Sequence, residues 1–121
     1  MENKDKMLLR LEELHAEFEN SKDPMFLSLN EDVYELAKEL IAVYNGTVKI
    51  HIYPTTCGGL NFEYDMVTGE TPEYNTFDLY GDGTASFYCT IGMLESASGS
   101  FQTSGMSFEV LQGLFNLVFK Y

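Results

Sequence analysis

Two stretches in the first part of the chain repeat apolar residues at helical spacing. Within residues 4–20 an apolar side chain recurs every three or four positions, and most positions between them are polar or acidic. Between Asn30 and Asn45 the same spacing forms a continuous apolar stripe. Both patterns predict amphipathic helices that bury one face. Ser28 or Asn30 is expected to cap the second helix, and Asn45-Gly46 to end it.

The apolar period changes from 3.6 to two after Thr47. Val48, Ile50 and Ile52 alternate with more polar residues, which predicts a half-buried strand. The run PTTCGG that follows is rich in turn formers, and residues 60–65 then alternate in the same way. We therefore predict that the two runs pair as an antiparallel hairpin.

A second hairpin is predicted beyond a loop. Residues 67–75 contain glycine and proline without any periodicity, which is typical of a loop. Phe77 and Leu79 begin a third strand, and alternating apolar residues mark a fourth over residues 85–91. Gly81-Asp82-Gly83 between them predicts a tight turn that tolerates positive φ.

The last part of the chain divides into a serine-rich segment and a helix. Residues 95–107 hold five serines and two glycines, and we expect them to be mobile or weakly extended. Ser107 is the expected N-cap of the helix. The helix is apolar on two sides, one formed by Phe108, Leu111, Phe115 and Val118, the other by Val110, Leu114 and Leu117. Such a helix is either enclosed or offers its second side to a partner.

These elements predict a single α+β domain over residues 1–121. It has two N-terminal helices, a four-stranded antiparallel meander and a C-terminal helix, with the helices packed on one face of the sheet. The outward residues of the strands are expected on the other face of the sheet. Three tyrosines and three acids there form the predicted partner-binding site, because aromatic anchors inside a charged rim are typical of tight interfaces. They are Tyr53, Glu63, Asp65, Asp78, Tyr80 and Tyr88.

The net charge of the chain limits the kinds of molecule that it is expected to bind. Nineteen acidic residues against seven basic ones give a net charge of −12. This excludes a general nucleic-acid binder, since phosphate contacts need a concentrated positive face, and it disfavours anionic membranes. Glu31, Glu35 and Glu39 recur every four positions, and they serve either solubility or the attraction of a basic partner. The start of the chain lacks the apolar run of a signal peptide, so we expect a cytoplasmic protein.

No residue pattern indicates catalysis, a metal or a cofactor. His51 is expected beside Glu63 or Asp65, and a carboxylate-held histidine is a candidate general base, but no nucleophile stands at a recognisable spacing. A surface hydrogen-bonding role is the simpler interpretation. Cys89 is expected to be a buried apolar residue, and Cys57 a turn thiol with no cation to activate it. We predict no catalytic residue, no metal site and no cofactor.

Two strings of residues carry a resemblance to known proteins. PTTCGGLNFEYD at residues 54–65 and FDLYGDGTASFY at residues 77–88 resemble paired hairpins of small bacterial and phage-encoded proteins. The matching positions are Pro54, Thr55, Gly58, Gly59, Phe62, Glu63, Tyr64, Asp82 and Gly83. The resemblance implies the hairpin fold and no catalytic residue. In composition and architecture the chain is also similar to toxin-immunity proteins and to phage inhibitors of bacterial defence systems.

Two functions from different classes follow. The leading hypothesis is a small acidic, non-enzymatic module that masks a basic surface of a partner protein, as an inhibitor of the immunity or phage anti-defence type. The alternative is an accessory domain that binds a small ligand or self-associates as a homodimer, through the C-terminal helix or the open face of the sheet.

Overall fold

The part of the chain that the structure describes forms three helices and five strands. A computed structural model of the protein describes residues 2–20, 31–44, 50–55, 58–68, 71–90, 96–103 and 106–119. The helices are α1 (Glu2–Asn20), α2 (Glu31–Ala42) and α3 (Phe108–Val118). The strands are β1 (His51–Pro54), β2 (Leu60–Thr68), β3 (Thr71–Leu79), β4 (Thr84–Thr90) and β5 (Ser96–Gln102). The predicted α+β class with an antiparallel sheet is confirmed.

The sheet is a meander in the order β1-β2-β3-β4-β5, with one strand more than predicted. The prediction that residues 95–107 are mobile or weakly extended is wrong for Ser96–Gln102, which pair with β4 over their full length. Ala97, Gly99 and Phe101 are half-buried, and the residues between them are exposed. A side chain on Gly99 would press against the ring of Phe87, so glycine lets that ring cover the strand.

The predicted loop over residues 67–75 is also wrong for residues 67–68 and 71–75, because β2 and β3 pair as far as Thr68 and Thr71; residues 69–70 lie outside the described residues. The amide nitrogen of Tyr80 bonds to the carbonyl of Thr84, so even-numbered residues of β3 direct their backbone groups towards β4. Pro72 therefore does not need an N–H to pair with Val67. Proline is tolerated in a strand where no ladder bond is required of it.

The apolar face of the sheet holds the core. Phe115 of α3 meets Phe62 and Phe77 edge to face, with ring centroids 5.3 and 5.4 Å apart. Leu60, Leu79, Ala85 and Cys89 are buried on the same face, which confirms Cys89 as a buried apolar residue. Contacts of this kind place α3 against β2 and β3. None of the helices in the described part of the chain is long and apolar enough to cross a membrane.

Three hydrogen bonds hold α3 at its two ends. Ser107 is its N-cap as predicted, since its hydroxyl accepts a bond from the amide of Val110 at 3.3 Å. At the other end the buried Nδ2 of Asn75 donates to the carbonyl of Val118 at 2.9 Å. The hydroxyl of Tyr44 donates to the carbonyl of Phe119 at 2.6 Å. Side chains from β3 and from Tyr44, which follows α2, thus satisfy carbonyls that a helix leaves without partners.

A histidine links the first two helices. His15 Nε2 lies 2.8 Å from Glu31 Oε1, and its ring stacks on Tyr34 with centroids 4.2 Å apart. The contact of α1 with α2 therefore uses a polar pair as well as the predicted apolar stripes, which bury Leu11, Leu14, Ala37 and Leu40. The predicted caps of α2, and Cys57, lie outside the described residues.

Candidate partner-binding face

The face of the sheet opposite Phe62 and Phe77 carries alternate residues of every strand. The ladder register arranges them in two rows across the sheet, which we call the outward face. One row is Tyr53, Asn61, Asp78, Ser86 and Ser100; the other is His51, Glu63, Thr76, Tyr88 and Ser98. Four of the six predicted site residues therefore lie in two adjacent rows.

Hydrogen bonds fix the centre of the outward face. Both carboxylate oxygens of Asp78 accept bonds, one from Asn61 Nδ2 and the other from Ser86 Oγ at 3.4 Å. The hydroxyl of Tyr80 lies 2.9 Å from Ser86 Oγ, which brings the half-buried Tyr80 into the same network. The network holds the Asp78 carboxylate and the Tyr80 ring in one arrangement before any partner arrives. Such preorganisation lowers the entropic cost of binding.

Two tyrosines flank this network and remain exposed. Tyr53 on β1 is 46% exposed, and Tyr88 on β4 is 39% exposed. They lie three strands apart, which corresponds to about 14 Å across the sheet. Tyr53 lies near His51 on the same strand, with ring centroids 6.4 Å apart. The face therefore presents two separated aromatic surfaces with a polar network between them.

The remaining predicted residues lie beside these rows. Glu63 is the ladder partner of His51, as the alternation predicts. Asp65 pairs with Tyr74 in the β2–β3 ladder, at a register position on the same face as Glu63. Its side chain is outside the part of the structure that is described. Cys89 is buried on the opposite face, so it does not approach His51 as a nucleophile would.

The acidic side chains of the sheet and of the β3–β4 turn form no metal site among the residues that the structure describes. Among those residues no three histidine, cysteine or acidic side chains come close enough to hold a metal ion. The carboxylate of Asp82 is used in the turn, where it accepts bonds from the amide of Thr84 at 3.0 Å and from its hydroxyl at 2.6 Å. These bonds lower the pKa of Asp82 below its ordinary value. Gly83 has φ of 88°, so the predicted positive-φ turn is confirmed.

A cavity of about 390 Å³ lies beside Tyr80, and the sequence does not predict it. Its apolar lining includes Val33, Leu36 and Met106, and two carboxylates, Asp32 and Glu39, belong to it as well. The lining comes from α2, from the turn between β3 and β4, and from the segment that enters α3. Residues so far apart along the chain carry no local pattern from which the cavity could have been found.

Comparison with known proteins adds nothing to this geometry. The chain matches no protein-family model, no curated protein and no solved structure. The candidate function therefore rests on the outward face and the charge of the chain.

Proposed function

We propose that the protein is a non-enzymatic binding module whose outward face contacts a basic surface of a partner protein. All three helices would cover the opposite face of the sheet and leave the outward face open. The observation that supports this function best is the pair of exposed tyrosines, Tyr53 and Tyr88, on either side of a carboxylate network that is already ordered.

The exposed tyrosine area is large enough to anchor a complex. A tyrosine side chain buries roughly 200 Å² when it is fully covered. At 46% and 39% exposure, Tyr53 and Tyr88 each have about 80–90 Å² left to bury. At about 25 cal/mol per Å² this is worth about 2 kcal/mol for each ring, or roughly a thirtyfold change in Kd. Tyrosine also loses little conformational entropy when it binds.

The charge of the chain supports a basic partner. A net charge of −12 attracts a positive surface over distance and repels polyanions. Exposed carboxylates such as Glu35 contribute mainly to the rate of association, whereas the buried rings determine how long the complex lasts. A cytoplasmic inhibitor that masks a functional basic surface, of the immunity or phage anti-defence type, combines these properties.

Affinity capture with three forms of the chain tests this function. The wild type is compared with Tyr53→Ser/Tyr88→Ser and with Val110→Ser/Leu117→Ser in an extract of the source cells. The second variant is a matched control, because Val110 and Leu117 are each 50% exposed on α3. We expect one basic protein to be retained by the wild type and the α3 variant and lost from the tyrosine variant. Retention by the tyrosine variant would exclude the outward face.

The identified complex then tests the electrostatic contribution separately. Raising the salt concentration from about 0.1 M to about 1 M shortens the Debye length from roughly 10 Å to roughly 3 Å. The association rate should fall sharply, and the dissociation rate should change much less, because the aromatic contacts are not screened. An association rate that is indifferent to salt would mean that the acidic residues serve solubility alone.

The cavity beside Tyr80 favours a second candidate, an accessory domain that binds a small ligand. A volume of about 390 Å³ lies within the range of small-molecule sites. Asp32 and Glu39 in its lining would select a ligand with a cationic group. Saturable binding of a small amine that is lost in Glu39→Gln, together with no protein captured by the outward face, would favour this function over the first.

A further inference from the structure

The two edges of the sheet are protected to very different degrees. β1 is four residues long, and Pro54 at its end has no N–H to offer. β5 is seven residues long and pairs with β4 without interruption, and it contains neither proline nor a charged residue. Natural proteins usually shorten, kink or charge an exposed edge, because its unpaired backbone groups recruit another strand. The β5 edge carries none of these devices.

The hydrogen bonds determine which backbone groups of β5 remain open. Because Thr84 accepts a bond from Tyr80, even-numbered residues of β4 face β3 and odd-numbered ones face β5. The amide of Thr103 bonds to the carbonyl of Gly83 at 2.9 Å, which agrees with this alternation. The N–H and C=O groups of four residues therefore point away from β4. These residues are Ser96, Ser98, Ser100 and Gln102.

The strand is complementary to a second copy of itself. In an antiparallel pairing that overlaps all seven residues, Ser98 faces Ser100 of the second copy and Gly99 faces Gly99. The four open residues pair with one another, so every outward backbone group finds a partner. On the apolar face Phe101 comes opposite Ala97, which sets a large side chain against a small one. A two-fold axis requires this kind of self-complementarity.

The distribution of charge selects a second copy over a charged strand. Seventeen of the nineteen acidic residues and six of the seven basic residues precede Gly83, and the remainder of the chain has a net charge of only −1. β5 itself carries no charged side chain, so pairing two β5 strands sets no like charges opposite each other; the nearest acids that the structure shows are Asp32 and Glu39 of α2, which line a cavity with Thr84 and Thr103. A basic strand would find no acidic side chain on β5 to pair with.

We propose that two copies of the chain associate through antiparallel pairing of their β5 strands, centred on Gly99, to form a continuous ten-stranded sheet. This pairing uses the backbone edge of β5, whereas the proposed partner site uses outward side chains. Ser98 and Ser100 belong to both, because they end the two outward rows beside Tyr88 and Ser86. The outward faces of the two copies would be joined side by side, so that one dimer presents two copies of the site.

Charge substitutions at facing positions test the pairing and its register together. Ser98→Lys/Ser100→Lys places like charges opposite each other twice across the two-fold axis, and Ser98→Lys/Ser100→Glu places opposite charges there. Sedimentation equilibrium of the full chain across micromolar to millimolar concentrations gives the dimer Kd. We expect the Lys/Lys variant to weaken the dimer about tenfold or more and the Lys/Glu variant to retain it. If the net charge alone controlled dimerisation, the Lys/Lys variant would form the tighter dimer, because its two lysines reduce the net negative charge.

Amide hydrogen exchange provides a second readout that does not depend on a substitution. The amides of Ser98 and Ser100 should become protected as the wild-type chain is concentrated, whereas that of Gly99, which already bonds to β4, should not change. A chain that is monomeric at all concentrations would overturn the proposal. So would a dimer of unchanged Kd in the Lys/Lys variant, or one that leaves both serine amides exchanging freely. Thermal unfolding of each variant confirms that it is folded.

Discussion

The hydroxyl of Tyr44 offers the sharpest test of how α3 is held on the sheet. Tyr44 is 1% exposed, and its hydroxyl donates to the carbonyl of Phe119 at the end of α3. Tyr44→Phe keeps the ring that meets Phe115 edge to face and removes only this donor. Phe119 is fully buried, so its carbonyl would have no water to replace the lost bond.

The expected cost follows from that buried carbonyl. An unsatisfied buried acceptor costs about 1–3 kcal/mol, whereas the loss of an exposed hydrogen bond costs much less. For a chain of 121 residues, 1 kcal/mol corresponds to roughly 4 °C in Tm. We therefore expect Tyr44→Phe to lower Tm by about 4–12 °C and to reduce the free energy of unfolding in urea without changing the slope m.

Tyr34→Phe in α2, the helix that precedes Tyr44, is the matched control. The described contacts of Tyr34 are made by its ring, with His15 and with the ammonium group of Lys38, and phenylalanine keeps both. We expect the control to change Tm by less than about 2 °C. If both variants behave alike, or if Tyr44→Phe leaves Tm unchanged, the bond to Phe119 does not hold α3 and the reasoning is wrong.

Three further predictions use other parts of the molecule. Gly59→Ala should destabilise the fold by about 1–3 kcal/mol, because its methyl group would collide with a backbone carbonyl. Gly113→Ala lies on the open surface of α3 and should stabilise the fold by up to about 1 kcal/mol. Urea unfolding measures both free energies, and equal effects would contradict the packing around Gly59. The lowered pKa of Asp82 means that it stabilises the fold above its ordinary pKa, and this contribution is lost as the pH falls through the folded value; carboxyl NMR titration measures that pKa directly. In binding to the partner, Tyr88→Ala should raise Kd roughly thirtyfold, and reversal of the charge of the exposed Glu35 should raise it less than about fivefold. The opposite order would indicate that the partner binds the helices.

The helices and the hairpins β1–β2 and β3–β4 could be predicted because their signals are local. The stripe through Val33, Ala37 and Leu40 has helical spacing, and those residues are buried in α2. Ser107 caps α3 because its hydroxyl accepts a bond from the amide of Val110, three residues later, and a separation of three residues is visible in the sequence. The alternation around Phe62 and Phe77 likewise places both rings on the buried face.

The two errors arise where strand pairing depends on distant neighbours. The residues of Ser96–Gln102 alternate between half-buried and exposed. Serine, alanine and glycine differ little in hydrophobicity, so the sequence shows no clear alternation with a period of two. A proline such as Pro72 ordinarily indicates that a segment is not a strand. It is tolerated here because the backbone groups of residue 72 point away from β2, so the proline removes no hydrogen bond between β2 and β3. That property follows from the register of the sheet and cannot be read from the residues near the proline.

The sequence by itself determined the charge of the chain and which acidic and aromatic residues of β1 to β4 are outward, because charge and a clear side-chain alternation are properties of the chain alone. Tertiary structure decided how those residues act together. Only the register brings Asn61, Asp78 and Ser86 into one network that also holds the hydroxyl of Tyr80. Only the meander order places β5 at an edge of the sheet that the described strands form. Hydrogen bonds across a sheet join residues that are far apart along the chain, so their partners are set by the fold and not by local pattern.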